Sequence, residues 1–303
     1  MATRPLDAGE RRRSQYLNEP FQRALAHWNR ERLSPGVPND GWRQQIDNDA
    51  RMTRLEGNFL DELLGDVAYR ASLVPSDPDG FVAWFEELGR SGPGQNDPLF
   101  PWIAEQATEE ELVWFFAQEA AGEAGFDDIV AITQVKMPPV PKMEMANNYW
   151  DEMGRGNLKG MHGPMLDALA ERLGVEPDID RTVWEALALA NTFTGFAMNR
   201  RYAWHSVGLL GVTELTAPWR SMHVANGLRR LGFSERERRY FALHAHIDVK
   251  HSEDWNEKVL KPLVAEEPGR ARWLAEGALA RMVCAERCFE RYRRYLWGSP
   301  AKG

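Results

Sequence analysis

Apolar residues recur at intervals of three and four along nearly the whole chain, and no run of alternating β-branched residues interrupts them. That period lays one helix face against a core, whereas a half-buried strand needs a period of two. The predicted fold class is all-α. The spacing predicts helices over 19–32, 49–68 and 79–88, followed by GRSGPGQNDPLFP, where Gly, Pro and Asn crowd together as loop residues do. A boundary near Pro101 follows, dividing the 303 residues into an N-terminal helical extension, 1–100, and a helical bundle, 101–303.

Beyond that boundary the start and stop signals are stronger. Thr108 and Glu111 form a capping box that opens a helix through LVWFFAQEAAGEAG. Three prolines in KMPPVPKME predict an extended break before a short helix ending at MGRG. Further helices are predicted over 164–173, 180–210 and 218–231, with Gly232 stopping the last of these. A second box, Ser234 and Glu237, starts a helix to about 264, and a final long helix covers 268–296.

Composition narrows the function classes. Apolar residues make up 43% and charged residues 27%, ordinary globular usage, so a folded chain is expected. The 45 acidic residues outnumber 37 basic ones, and a net charge of -8 repels phosphate backbones and anionic lipid. Neither nucleic acid nor membrane is expected as a partner. No stretch approaches the roughly 20 apolar residues of a membrane span, and the charged start, MATRPLDAGERRR, lacks a secretory apolar segment. Cys284 and Cys288 lie four apart, which is neither the redox CxxC spacing nor a disulfide framework. Two buried or half-buried thiols and a cytoplasmic location are expected.

The segment RRYFALHAHIDVKHSEDW carries the most chemistry. At 100° per residue His244, Asp248 and His251 fall at about 0°, 40° and -20°, in one stripe with Tyr240 and Trp255, while His246 points away at about 200°. Two imidazoles and a carboxylate on one stripe suit iron, manganese or zinc; ordinary polar contacts on a helix surface are the alternative. One helix cannot fill a coordination sphere. Glu119 follows Leu112, Phe115 and Phe116 on the buried side of its helix, where a carboxylate must be paired with an arginine or bound to metal. Glu123, one turn on, competes with it. Glu214 is the only charge between Arg201 and Arg220, and stands either as a ligand or in a turn ahead of Pro218.

Taken together these residues resemble the heme-oxygenase-like diiron oxidases and oxygenases, the iron-containing redox enzymes. The resemblance rests on Tyr-Phe…His-x3-Asp-x2-His at His244, Asp248 and His251, and on Glu-x-Gly-x-Gly…His at Glu152, Gly154, Gly156 and His162, with Met153 before the first glycine. The upstream helical Glu119, and Glu214 in a Thr-Glu before the Pro-containing helix into GLRRLGF, complete it. It covers roughly 105–265. It implies a heme-oxygenase-like helical bundle with seven ligands: Glu119, Glu152, His162, Glu214, His244, Asp248 and His251. Only the resemblance links Glu152 to His162, because the glycines between them break helical phase. Four carboxylates and three imidazoles suit two Fe ions (Fe2+/Fe3+) with positions open for dioxygen as co-substrate. A ferritin-like site needs Glu-x-x-His pairs, of which the sequence has none. An axial His27 near Gly208 and Gly211 could be pressed into binding haem, but the carboxylates would then be unexplained.

The resemblance further implies an oxidoreductase acting on a small molecule with an external electron donor. N-oxygenation of an amine to hydroxylamine, nitroso or nitro products in natural-product biosynthesis is the expected reaction; desaturation, decarboxylation or C–C cleavage of an amino or fatty acid is the alternative. Phe116, Trp150, Trp204, Tyr240 and Trp255 are the aromatic residues expected near the ligands, with core packing as their usual role. Arg220, with Arg200 and Arg201, suits a substrate carboxylate or other anion, a solvated helix face being the alternative. The first hundred residues and the final helix could build a homodimer interface.

Overall fold

The computed structural model describes residues 14–122 and 125–298. The charged start and Glu123 lie outside the described residues. The described chain is all helical, with no strand. Its α-helices are α1 (Glu19–Leu33), α2 (Trp42–Ala71), α3 (Pro78–Ser91), α4 (Leu99–Glu105), α5 (Glu109–Gly122), α6 (Phe126–Thr133) and α7 (Pro139–Glu152). They continue as α8 (His162–Leu173), α9 (Trp184–Met198), α10 (Ala203–Arg230), α11 (Arg239–Trp255), α12 (Lys261–Glu266) and α13 (Arg270–Leu296). A π-helical turn, Asn256–Leu260, joins α11 to α12.

The capping signals operate as their chemistry demands. Thr108 N–H donates to Glu111 Oε2 at 2.8 Å and Glu111 N–H to Thr108 Oγ1 at 3.3 Å, satisfying two orphan donors ahead of α5. The same reciprocal pair joins Ser234 and Glu237, although regular helix begins only at Arg239. Two proline readings are corrected. Helix α7 starts inside the proline run, because Pro139 occupies its first turn, where no N–H is needed. Helix α10 runs straight through Pro218, and the break expected before that residue lies instead at 199–202, where the Asn199 side chain accepts from Arg201 N–H. Pro218 forfeits one backbone bond, to the carbonyl of Glu214, while tertiary packing holds α10 on both sides.

That packing is unusually close where α10 crosses α13. A methyl group on Gly208 would sit 1.9 Å from the Leu274 carbonyl oxygen, and one on Gly277 would sit 1.9 Å from that of His205. Backbone touches backbone there. Around the crossing lies one apolar cluster that includes Val207, Leu209, Leu210, Leu274 and Leu279 together with Leu25, Phe59 and Phe81 from α1–α3. The first three helices thus share a core with the later ones, and Pro101 falls inside α4. A second cluster joins Phe100, Phe115, Phe116, Val224, Leu228 and Phe289. Between the two, α10 carries Glu214, Thr216, Arg220 and Ser221, and α13 carries Arg281, so a polar band separates the apolar masses. Among the described residues no helix is long and apolar enough to cross a membrane, and both cysteines are free and buried.

Gly277→Ala should force α10 and α13 apart at a cost of about 3 kcal/mol, seen as a clear fall in the melting temperature followed by circular dichroism. Gly65→Ala, on an exposed stretch of α2 with open space around it, should instead stabilise by roughly 0.5–1 kcal/mol.

Candidate metal centre

Four separate stretches deliver side chains to the polar band. On α7 the inward stripe is Pro141, Glu144, Met145, Asn148 and Glu152, so the last turn of the helix ends on a buried carboxylate. The chain then reverses through Gly154, Arg155 and Gly156, all at positive φ. A methyl group on Gly154 would lie 2.3 Å from the Gly160 backbone, so the two short turns pack against each other. This reversal starts α8 at His162, whose Nδ1 comes back to 2.6 Å from Glu152 Oε2. The glycines that break helical phase are what join the pair.

On α11 the stripe His244, Asp248, His251 and Trp255 faces inward, and His246 faces solvent. Glu214 is buried in the middle of α10, which excludes a turn role. Six buried residues fall into two groups of three, each with ligand atoms within 4.8 Å of one another: Glu152, His162 and His244, then Glu214, Asp248 and His251. The groups adjoin. Burial pushes the Glu152 carboxyl well above the usual carboxylate range, and the nearby charge of Glu214 pushes it further. Asp248 is driven up by burial and by the same neighbour. Burial, aided by neighbouring imidazoles, pulls His162 and His244 down to about 4, so both rings are neutral near pH 7.

The donor atoms converge without bonding to one another. His162 Nδ1 is close to Glu152 yet makes no aligned hydrogen bond, and His251 Nδ1 and Asp248 Oδ1 are likewise buried without hydrogen-bond partners. His251 Nδ1 stands 3.4 Å from Glu214 Oε2 and 3.7 Å from Asp248 Oδ1. Buried polar atoms left this way cost about 1–3 kcal/mol each, and carboxylates crowded without a cation cost more. A divalent cation in each group removes both penalties, so the residues fit metal. Neutral imidazole with carboxylate oxygen is a donor set that iron accepts.

Outer contacts set the ring orientations. His244 Nδ1 donates to the Tyr240 carbonyl at 2.8 Å, leaving Nε2 as its ligand atom. His251 presents Nε2 to Asp151 Oδ2 at 3.2 Å, so Nδ1 faces Glu214 and Asp248. Burial opposes charge on the His251 ring, but the carboxylates of Asp248, Glu214 and Asp151 prevail and raise it to about 11. Asp151 is itself held by Arg155 Nε at 2.5 Å, and Asn148 donates to Glu214 Oε1 at 2.7 Å. Sequence reasoning passed over Asp151 and Asn148. Their only signal is spacing: Asn148 lies one turn before Glu152 on α7, and Asp151 lies three residues after Asn148.

Glu119, the seventh expected ligand, stands apart from both groups. It lines the same cavity, of about 200 Å³, but its Oε1 accepts from Tyr292 Oη at 2.8 Å. Burial raises its carboxyl, and Arg220 and Arg281 nearby hold it down. Phe116, Tyr240 and Arg220 line the cavity. Three tryptophans do not. Trp150 is half exposed and lies against Gly156, Trp204 stacks on Arg270 at 4.5 Å, and Trp255 fills the core against Gly211. Arg200 instead binds the carbonyls of Ile132, Thr133 and Val135, and Arg201 pairs with Asp61. His27 pairs with Asp180 near the surface, away from Gly208 and Gly211.

A sequence profile described as iron-containing redox enzyme matches residues 113–286, more than half of the chain. Nitrosourea synthase from Streptomyces achromogenes subsp. streptozoticus is 30% identical over 119 residues, 38% of this chain and 25% of that protein. The chain therefore spans about a quarter of the length of this curated relative. Two crystal structures of a CADD-like protein of unknown function from Nostoc punctiforme share the fold. One superposes with a TM-score of 0.55 at 16% identity over 72% of this chain and 98% of that one. The other gives 0.54 at 17% identity over 74% and 97%.

Asp151→Asn should leave the helical fold intact and weaken divalent-metal binding about 10- to 100-fold by freeing the His251 ring. Titration with Co(II), followed by its visible absorption, measures this.

Proposed function

The chain belongs to the iron-containing redox enzyme family, and from that membership and the paired ligand groups we propose that it is a dioxygen-activating non-haem diiron oxygenase acting on a small molecule. The observation that carries the reading is the pair of adjoining buried groups, each with two carboxylate or imidazole partners around a third. Glu152, His162 and His244 would hold one iron, and Glu214, Asp248 and His251 the other. Glu119 would join them only by giving up its hydrogen bond from Tyr292.

Bound iron would supply the electrons that dioxygen reduction requires. The protein's own residues do the rest. Tyr240 keeps the His244 proton on Nδ1; on His251, which is protonated on both nitrogens without metal, a bound cation would displace the Nδ1 proton while Asp151 keeps the other on Nε2, so each ring would then offer one lone pair to the centre. Phe116, Phe126, Leu166, Leu189 and Phe193 line the cavity and exclude water from its apolar part. A substrate lying there reaches Glu152, Glu214, His244 and Asp248, which face the same space.

Oxygenation of an amine nitrogen is the favoured reaction, in natural-product biosynthesis. A nitrosourea contains an N–N=O group, and the partial similarity to a protein that makes one supports nitrogen oxidation. An external electron donor and a homodimer belong to the same reading. Desaturation or C–C cleavage would use the same centre, and labelled dioxygen distinguishes them because only oxygenation places label on nitrogen.

Anaerobic Fe(II) titration should saturate near two irons per chain, and a mass-spectrometric screen of candidate amines with Fe(II), a reductant and 18O2 should give a product carrying label. His244→Ala and Asp248→Ala should each lower turnover at least about 100-fold with the helical circular dichroism retained, while His246→Ala changes it little. Equal losses at all three positions would mean that the α11 face is structural.

A further inference from the structure

Three oxidisable rings run in contact from the cavity to the surface. Tyr292 lines the cavity, is 1% exposed, and donates from Oη to Glu119 Oε1 at 2.8 Å. Trp114, on α5, meets it edge to face with ring centroids 5.7 Å apart. The same indole stacks on Tyr295, with centroids 4.1 Å apart and the planes 11° from parallel. Tyr295 follows Tyr292 on α13 by about one turn and is 44% exposed. Core packing explains aromatic contacts in general, and Tyr292 also meets Phe115 at a centroid distance of 5.8 Å. A phenyl ring resists loss of an electron, whereas phenol and indole are the side-chain rings that give one up most readily. The file that reaches solvent is built from these two.

Each end of the file has an outlet for a proton. Tyr292 is shut in beside Phe115 and Phe289, so an oxidised phenol that kept its proton would be a charge buried away from water, which is costly. Glu119 removes that difficulty, because its oxygen already accepts from the phenolic hydroxyl and can take the proton outright. At the other end the exposed Tyr295 releases its proton to water. Trp114 between them needs no such outlet, since an indole passes an electron on as a short-lived radical cation.

We propose that Tyr292, Trp114 and Tyr295 form an electron relay that drains a strong oxidant from the cavity to the surface when no substrate consumes it. The need for a drain rests on the oxygenase reading; the relay itself rests on the ring contacts. The oxidant, a one-electron acceptor formed from dioxygen, takes an electron from Tyr292 while the phenolic proton passes to Glu119, leaving a neutral tyrosyl radical. Trp114 then gives an electron to Tyr292, and Glu119 returns the proton. Tyr295 refills Trp114 and loses its own proton to water. A reductant in solution, of the ascorbate or thiol class, gives one electron to Tyr295, and water returns the proton. The sum is one electron moved from reductant to oxidant, with every protein bond restored. Ferric iron is too weak an oxidant to draw on phenol or indole, so a resting centre leaves the relay untouched.

The test begins on metal-free, full-length protein, to which oxygenase chemistry contributes nothing. Flash-generated tris(bipyridine)ruthenium(III), too bulky to enter the cavity, oxidises exposed rings, and freeze-quenched samples are read by electron paramagnetic resonance. Wild-type protein should show a tyrosyl signal that Tyr292→Phe loses. Should that variant fail to fold, Glu119→Gln replaces it, because it removes the proton acceptor and should lose the same signal. Trp114→Phe and Tyr295→Phe should each lower the signal severalfold with circular dichroism unchanged; rings that serve packing alone would leave it as it is. The relay is overturned if no signal depends on Tyr292 or Glu119, or if the signal is undiminished in both Trp114→Phe and Tyr295→Phe. Fe(II)-loaded protein is then held under dioxygen without an amine. Metal-binding capacity should be lost faster in Trp114→Phe than in wild type, with ascorbate protecting the wild type alone, and equal losses would overturn the draining role. Failure to bind iron would sink the oxygenase reading, while the flash experiment still decides the relay.

Discussion

The contact on which the rest of the molecule depends is the crossing of α10 and α13 at Gly208 and Gly277, where neither position has room for a methyl group. Dispersion and burial act over short distances, so two backbones this close fix the relative rotation and translation of both helices. Glu214 lies six residues beyond Gly208, and Arg281 lies four beyond Gly277. Each is therefore delivered to the polar band by the same contact. The apolar clusters on either side then seal that band from water.

Sealing is what gives the band its chemistry. In water the carboxylates of Glu152 and Asp248 would be ordinary anions; between two apolar masses both resist ionisation, and the nearby charge of Glu214 adds to that resistance. A hydrogen bond to a charged acceptor, such as Tyr292 to Glu119, contributes about 1.5–3 kcal/mol, less than the several kcal/mol that burying an ion costs. Hydrogen bonds alone therefore do not balance this site. Cations held by the ligand groups would supply the balance that hydrogen bonds do not.

Some of this was legible in the chain itself. The α11 stripe follows from helical geometry, so His244, Asp248 and His251 could be placed together and His246 set apart. Capping boxes marked two helix starts because their bonds are local. The reading at Pro218 failed where tertiary packing overrode propensity, and the one at Pro139 failed because a proline fits the first turn of a helix. Three tryptophans were assigned to the pocket from nearness in sequence to ligand positions, yet Trp150, Trp204 and Trp255 face away from it. Trp114 carried no signal because an aromatic ring on an apolar helix is unremarkable until its neighbours are known.

The sequence by itself determined the all-helical class, the α11 stripe and the residue types suited to iron, because period and donor chemistry are properties of a few neighbouring positions. Only the tertiary structure decided that Glu152 returns to His162 through two interlocked glycine turns, that Asp151 orients His251, and that Glu119 bonds Tyr292. It also decided that Trp114 of α5 touches both Tyr292 and Tyr295 of α13. Those outcomes depend on distances between segments far apart in the chain, and such distances are set by packing rather than by any local pattern.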